Sequence, residues 1–236
     1  MRWKIAILLS VVALAAAQTT PAALGIGQTM KQNADALKQY SYKRRIEIQV
    51  KGKSRGARVD LVRYIDGKME TVPLETPARP DQSGRRRGLR GKIVEKKIEQ
   101  KKEEMKKERE ELEQLLHSYV TPGSDSMRAM LEKAAISRTG PAADADVKIV
   151  ATGIVKPSDS FTLVWSVANH RPVSIDIRAL HDGKPVQLTL EYAAVKGGPF
   201  YAAHTVISAP KKDMVIRIDS FDYSISGEPK SGSARD

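Results

Sequence analysis

The sequence predicts an α+β protein whose main element is an antiparallel β-sheet covered on one face by helices. Apolar and polar residues alternate along most of the C-terminal half. This two-residue period is typical of strands with one buried face. The strands follow one another through short turns, whereas parallel neighbours need crossovers of about a dozen residues. Because an apolar sheet face must be covered, we expect the few helical segments to pack against it.

The N-terminal part predicts one helix followed by a short run of strands. Residues 29–40 carry apolar side chains at intervals of three and four, as on one face of a helix. Turn residues occupy 51–56 and the pair Asp66-Gly67, which favours hairpins. The predicted strands are 45–51, 59–65 and a short one at 72–74.

The C-terminal half predicts a meander of strands with turns between them. Val173, Ile175, Ile177 and Ala179 are typical of one apolar stripe, and Asp182-Gly183 of a tight turn. The predicted strands cover 147–155, 161–167, 173–179, 186–192, 200–207 and 214–223.

The segment between these two parts has a different composition. Residues 79–91 are rich in Arg and Gly and predict an exposed basic linker. Residues 92–119 contain no Gly or Pro and many good helix formers, so they predict one long charged helix. Its apolar stripe is broadest at 112–119, where we expect it to dock. A further short helix is predicted at 126–135.

The first residues predict export from the cytoplasm. Residues 1–17 combine a charged start, a short apolar run and small residues at the end, which is the layout of a signal peptide. We predict cleavage before Gln18, and an uncleaved membrane anchor is the alternative. The expected mature chain has a flexible leader at 18–28, a single domain at 29–227 and a disordered tail at 228–236. We expect it to be periplasmic or otherwise exported, and monomeric.

Catalytic signatures are missing from the sequence. There is no cysteine, which excludes disulfides and thiolate chemistry. The four histidines are not arranged in a recognised metal motif, and no G-x-S-x-G motif marks a nucleophile. The sequence therefore predicts a protein that is not an enzyme, with no catalytic residue, no metal and no cofactor.

Positive charge is concentrated in one short window. Removal of Arg2 and Lys4 with the signal peptide lowers the formal charge from +12 to +10, and +6 of this lies between Arg85 and Lys97. Such a cluster can contact anionic lipid head groups or an acidic partner. Aromatics are sparse, so we expect no specific nucleic-acid binding. The alternative is a merely solvated insertion. The seven cations are Arg85, Arg86, Arg87, Arg90, Lys92, Lys96 and Lys97.

Several aromatic and turn-forming stretches resemble one known group of exported proteins. These stretches are Leu37 to Ile48, Phe161 to Trp165, Asp182 to Leu190 and Gly198 to Tyr201, together with Phe221 to Tyr223. With the order of elements, they resemble the periplasmic lipoprotein-carrier superfamily of LolA, LolB and RseB type. The chain is also similar to uncharacterised exported bacterial proteins that have a Lys/Glu-rich central helix.

The resemblance implies a curved half-barrel sheet with helices on its concave side. It also implies that the apolar concave face accepts an acyl chain or lipoprotein. The residues on the implied lining are Trp165, Ile175, Ile177, Leu188 and Leu190. They would make the chain a non-enzymatic carrier or sensor of the bacterial cell envelope. The alternatives are ordinary core packing at these five positions and an envelope interaction protein with a closed core and a basic docking arm.

Overall fold

The fold is one antiparallel sheet of ten strands with a helix against it. The computed structural model describes residues 25–75, 130–142, 144–154, 156–209 and 213–226, and single positions between 99 and 119. The helix is α1 (Ile26–Leu37). The strands are β1 (Tyr40–Val50), β2 (Lys53–Ile65), β3 (Lys68–Glu75), β4 (Ala135–Arg138), β5 (Val147–Thr152), β6 (Ser160–Ser166), β7 (Arg171–His181), β8 (Lys184–Ala194), β9 (Phe200–Ala209) and β10 (Met214–Ile225).

The strand order in the sheet is β3-β2-β1-β10-β9-β8-β7-β6-β5-β4. Neighbours in space are therefore neighbours in sequence, with the exception of β1 and β10. These two strands pair antiparallel, with Ile46 opposite Ile218 and Ile48 opposite Ile216. Their pairing joins the N-terminal unit of three strands to the C-terminal unit of seven and makes one continuous sheet.

The predicted antiparallel meander is confirmed, and its tight turns use the residues expected. Asp66 and Gly67 both have positive φ, at 50° and 73°, between β2 and β3. Asp182 and Gly183 repeat this geometry between β7 and β8, at 50° and 68°. Two successive residues with positive φ match the right-handed twist of the flanking strands, and aspartate and glycine tolerate this conformation. These turns fix the register of their hairpins.

The N-terminal helix lies three residues before its predicted position. It begins after its N-cap residue Gly25, which has a positive φ of 61°, and it buries Ile26 and Met30. Tyr40, predicted as its last residue, is instead the first residue of β1 and pairs with Ile225 of β10. Pairing along the ladder of β10 overrides the helical spacing at that end.

Two local predictions were wrong. Residue 135 was predicted to end a helix, but it begins β4, where Ile136 pairs with Ile149 and extends the sheet beyond β5. Val173 was placed on the apolar stripe of β7, yet its side chain is 40% exposed. The register between β6 and β7 shifts at this point, so that Trp165 lies opposite Pro172. Such a bulge adds one residue to the strand and turns its side chain away from the buried face.

The central helical region is described at eight separate positions. Residues 99, 100, 103, 104, 107, 111, 114 and 119 all have α-helical backbone. Those from 99 to 107 are exposed, whereas Tyr119 is buried in the core. The long helix predicted for 92–119 is not shown as a whole. Residues 1–17, the linker 79–91 and the tail 228–236 lie outside the described residues. Within the described part, no helix has the length and apolar character needed to cross a membrane.

Candidate functional site

The candidate site is the apolar face of the sheet where β6, β7 and β8 run side by side. One row of side chains crosses it from Leu163 through Ile175 to Leu190. The next row crosses from Phe161 to a leucine of β8 and continues into β9 and β10. Directly opposed side chains on one face lie about 5 Å apart and pack together. The two rows therefore form one unbroken apolar surface.

All five side chains predicted to line this face belong to one buried cluster. Their exposed fractions are 0% for Trp165, 1% for Ile175, 2% for Ile177, 2% for Leu188 and 6% for Leu190. The structure thus brings them together on one face. Their contact with a ligand stays a prediction. The seven cations predicted to contact an anionic surface lie outside the described residues.

Side chains from helical positions are buried in the same cluster. Ile26 and Met30 come from α1, and Tyr119 and Met130 come from two later helical positions. Among the described residues, the buried cluster therefore combines the apolar sheet face with side chains from α1 and from two later helical positions.

The attachment of α1 to the sheet rests on one polar clamp. Asn33 Nδ2 donates a hydrogen bond to the Phe200 carbonyl oxygen at 2.8 Å, and the Phe200 N–H donates to Asn33 Oδ1 at 2.8 Å. The amide thus satisfies both backbone groups at the start of β9, as a neighbouring strand would. The clamp fixes the position of α1 along the sheet.

A second polar contact fixes residue 119. The Tyr119 hydroxyl donates a short hydrogen bond to Asp159 Oδ2, and the Lys156 N–H donates to the same oxygen at 2.7 Å. Both Tyr119 and Asp159 are buried, at 2% and 1% exposure. Burial, and then the hydrogen bond and charge of Asp159, raise the pKa of the Tyr119 phenol above its usual range. The phenol therefore stays protonated and bound to the carboxylate.

One polar atom in the apolar cluster has no partner among the described residues. Trp165 Nε1 is buried, and its N–H finds no acceptor there. A buried donor without an acceptor costs about 1–3 kcal/mol. The candidate site therefore presents an unused hydrogen-bond donor inside an otherwise apolar surface.

A second buried cluster lies beside the main core, on β1 and β2. Asp60 is 1% exposed and lies between two guanidinium groups, 3.6 Å from Arg44 Nη2 and 3.2 Å from Arg58 Nε. Nearby, the ring of Tyr223 stacks on that of Tyr42 at 4.6 Å between centroids. Burial is the main cause that raises the pKa of both phenols. This cluster explains how a carboxylate is tolerated inside the N-terminal unit.

Sequence reasoning missed the polar side chains that hold the site. Asn33 and Phe200 are 167 residues apart, and Tyr119 and Asp159 are 40 apart. No local spacing announces such contacts. The sequence contains one feature at each residue that could have drawn attention to it. Asn33 is an amide on the amphipathic helix, and Asp159 precedes a strongly apolar strand.

Comparison with known proteins finds similar chains among the solved structures. No protein-family model matches the chain, and no curated protein matches it. A putative outer membrane lipoprotein-sorting protein domain from Vibrio parahaemolyticus has 9% identity and a TM-score of 0.45, over 88% of this chain and 94% of that one. The lipoprotein-sorting group that the sequence resembles is thus represented among the structural neighbours.

Two further neighbours give comparable values. A DUF1329 family protein from Desulfovibrio piger has 11% identity and a TM-score of 0.43, over 88% of this chain and 93% of that one. A LolA superfamily protein from Nitrosomonas europaea has 10% identity and a TM-score of 0.33, over 86% of this chain and 94% of that one. At these values the similarity carries no argument about function, which must come from the site.

Proposed function

We propose that this chain is an exported, non-enzymatic protein that binds the acyl chain of a lipid or lipoprotein against its apolar sheet face. The observation that carries the proposal is the continuous apolar surface of β6, β7 and β8, which shares one buried cluster with side chains of α1 and of two later helical positions. Burial of apolar area is the interaction that an acyl chain offers, at about 0.8 kcal/mol per CH₂ group. The lining would be Trp165, Ile175, Ile177, Leu188 and Leu190.

Binding requires the covering side chains to move, because the lining residues are at most 6% exposed. Among the described residues, the polar contacts that hold these helical positions include the Asn33 clamp and the Tyr119–Asp159 hydrogen bond. An acyl chain that replaces Ile26 or Met30 on the sheet exchanges one apolar contact for another. The exchange therefore conserves most of the buried apolar area.

The unpaired indole N–H of Trp165 supplies a polar element of recognition. An acyl group carries an ester, amide or carboxyl oxygen at one end, and this oxygen accepts hydrogen bonds. Pairing with Trp165 Nε1 would remove the cost of the unsatisfied donor and fix the direction of the chain on the sheet. A pure hydrocarbon lacks this oxygen and is expected to bind more weakly.

Quenching of Trp165 fluorescence tests the proposal directly. The sequence has two tryptophans, Trp3 and Trp165, so the mature chain that begins at Gln18 retains Trp165 alone. A fatty acid brominated along its chain quenches tryptophan on contact, and its unbrominated counterpart is the matched control. We expect saturable quenching by the brominated acid alone. Trp165→Phe removes the indole donor and should therefore bind the acid more weakly, as measured by equilibrium dialysis.

Absence of quenching at any fatty-acid concentration, with no lipid in organic extracts of the purified protein, would overturn acyl binding. A second candidate function would then apply. The 0–6% exposure of the five lining residues favours an envelope interaction protein with a closed core. In that case the cations between Arg85 and Lys97 form a docking arm for an anionic membrane or an acidic partner. Replacement of Arg85, Arg86, Arg87 and Arg90 by glutamine should then abolish sedimentation with anionic vesicles.

A further inference from the structure

Three ligand-type side chains from distant parts of the sequence meet beside the turn between β7 and β8. Glu111 comes from a helical position, His181 is the last residue of β7, and Asp182 begins the turn. One potential ligand atom from each lies within 4.8 Å of those of the other two. The sequence shows no such motif because Glu111 precedes His181 by 70 positions.

The imidazole nitrogen at the centre of this cluster is buried without a hydrogen bond. His181 Nε2 has no hydrogen-bond partner among the described residues, although it faces two carboxylates. It lies 3.4 Å from Glu111 Oε2 and 3.8 Å from Asp182 Oδ2. Both distances exceed the usual hydrogen-bond range of about 2.7–3.2 Å.

The same distances fit donor atoms that share one metal ion. Zinc lies about 2.0–2.1 Å from imidazole nitrogen and about 2.0–2.2 Å from carboxylate oxygen, in a tetrahedral arrangement. Two such ligands are then about 3.4 Å apart. The pair His181–Glu111 already has this separation, and rotation of the exposed Asp182 side chain would have to shorten its distances to the other two ligand atoms, which lie within 4.8 Å.

We propose that His181 Nε2, Glu111 Oε2 and Asp182 Oδ2 bind one divalent transition-metal ion of the zinc type. An imidazole ligand favours zinc over calcium or magnesium, which take oxygen ligands. The carboxylate side chains of Glu111 and Asp182 are 40% and 72% exposed, so water can reach the site and complete the coordination. The ion would tie a helical position to the β7–β8 turn.

Two described cations near the cluster are occupied by other oxygen atoms. Lys107 Nζ lies 3.8 Å from Glu111 Oε1, the oxygen that is not used, and its side chain is 80% exposed. Lys156 Nζ donates a hydrogen bond to the Leu180 carbonyl oxygen at 3.0 Å. The positive φ of Asp182, 50°, holds its carboxylate directly beside the last residue of β7.

Zinc titration of the chelator-treated mature protein tests the site, with calorimetry as the readout. We expect one equivalent of zinc to bind, and no response to calcium or magnesium. His181→Gln should abolish binding. Glu111→Gln and Asp182→Asn should each weaken it about tenfold or more, as changes around a metal site commonly do. Asparagine accepts positive φ, so Asp182→Asn preserves the turn.

A matched control comes from a second histidine–carboxylate pair on the sheet. His204 Nδ1 lies 2.8 Å from Asp219 Oδ1, and both side chains are exposed. His204→Gln should leave zinc binding unchanged. Cobalt, which reports its ligands by visible absorption, should give a signal that His181→Gln removes.

Two outcomes would overturn the proposal. One is zinc binding that His181→Gln leaves intact in a variant with a wild-type circular dichroism spectrum. The other is the absence of any zinc-specific binding to the wild-type protein, which would leave the three side chains as a polar contact without a metal ion. Neither outcome affects acyl binding, because the zinc titration contains no lipid. The two proposals can therefore fail independently.

Discussion

The phenol of Tyr119 and the carboxylate of Asp159 show how one buried pair can fix a helical position on the sheet. Asp159 accepts hydrogen bonds from the Tyr119 hydroxyl and from the Lys156 N–H. Removal of the hydroxyl leaves the carboxylate with fewer donors in a buried place. A hydrogen bond to a charged group contributes about 1.5–3 kcal/mol to stability.

We predict that Tyr119→Phe lowers the free energy of unfolding at neutral pH by about 1.5–3 kcal/mol, the usual contribution of such a bond. It should also change the alkaline limb of the stability profile. Folding raises the pKa of Tyr119 above its ordinary value of 10.0. The resulting stabilisation is complete below pH 10 and is lost as pH rises through the folded-state pKa. Urea unfolding from pH 8 to pH 11.5 should therefore show a shallower decline for the variant.

The double variant Tyr119→Phe/Asp159→Asn provides the control for this prediction. If the two side chains act through their mutual bond, Asp159→Asn should cost less in the Tyr119→Phe background than alone. Equal alkaline slopes for wild type and Tyr119→Phe would contradict the prediction. The raised pKa values of Tyr42, Tyr192 and Tyr223 would then account for the alkaline decline.

At the scale of the element, the bulge in β7 separates two residues that alternation alone treats alike. Val173 is 40% exposed, whereas Ile175 is 1% exposed. We predict that Ile175→Ala lowers the free energy of unfolding by about 2–5 kcal/mol, because it leaves a cavity in the core. Val173→Ala should change it by less than about 0.5 kcal/mol, as surface substitutions do. Urea denaturation of both variants measures the difference. Similar losses at the two positions would mean that β7 has no bulge.

The comparison of Val173 with Ile175 also shows how far the sequence determines the fold. The alternation of apolar and polar residues was sufficient to predict β5 to β10, and the Asp-Gly pairs were sufficient to predict two turns. A bulge depends on how two strands align, and the residues of β7 alone do not contain that information. β4 was missed because Ile136 is a strand residue through its pairing with Ile149.

The candidate site was predictable to a similar extent. The five apolar side chains from Trp165 to Leu190 follow from the strand period, and they lie in one cluster. Their polar surroundings depend on contacts between distant segments, such as Glu111 with His181. Such contacts form when the helical positions pack on the sheet. A single sequence gives no local signal for them.

At the scale of the whole molecule, the ten strands form a single sheet with two edges in the described residues, β3 and β4. We predict that amide hydrogen exchange is slowest in β7, β8 and β9, where each strand has two paired neighbours and a buried face. Exchange should become faster towards β3 and β4, because edge strands open by local fluctuations. Native-state exchange followed by mass spectrometry measures this gradient.

The gradient would be contradicted if the amides of β1 exchanged faster than those of β3. This would mean that the N-terminal unit of three strands opens by itself. Because β1 pairs with β10, its amides should instead exchange nearly as slowly as those of β10. Ile216→Ala offers a further check. Ile216 lies opposite both Ile48 of β1 and Ile207 of β9, so its replacement by alanine should speed amide exchange in β1 and in β9.

The joint between β1 and β10 also sets the order of events during synthesis. A ribosome releases Tyr40 to Val50 long before their partner strand, Met214 to Ile225. Until that point, β1 can pair with β2 alone, and Ile46 and Ile48 have no neighbour on their other side. Joining of the two units of the sheet therefore waits until β10 has been synthesised.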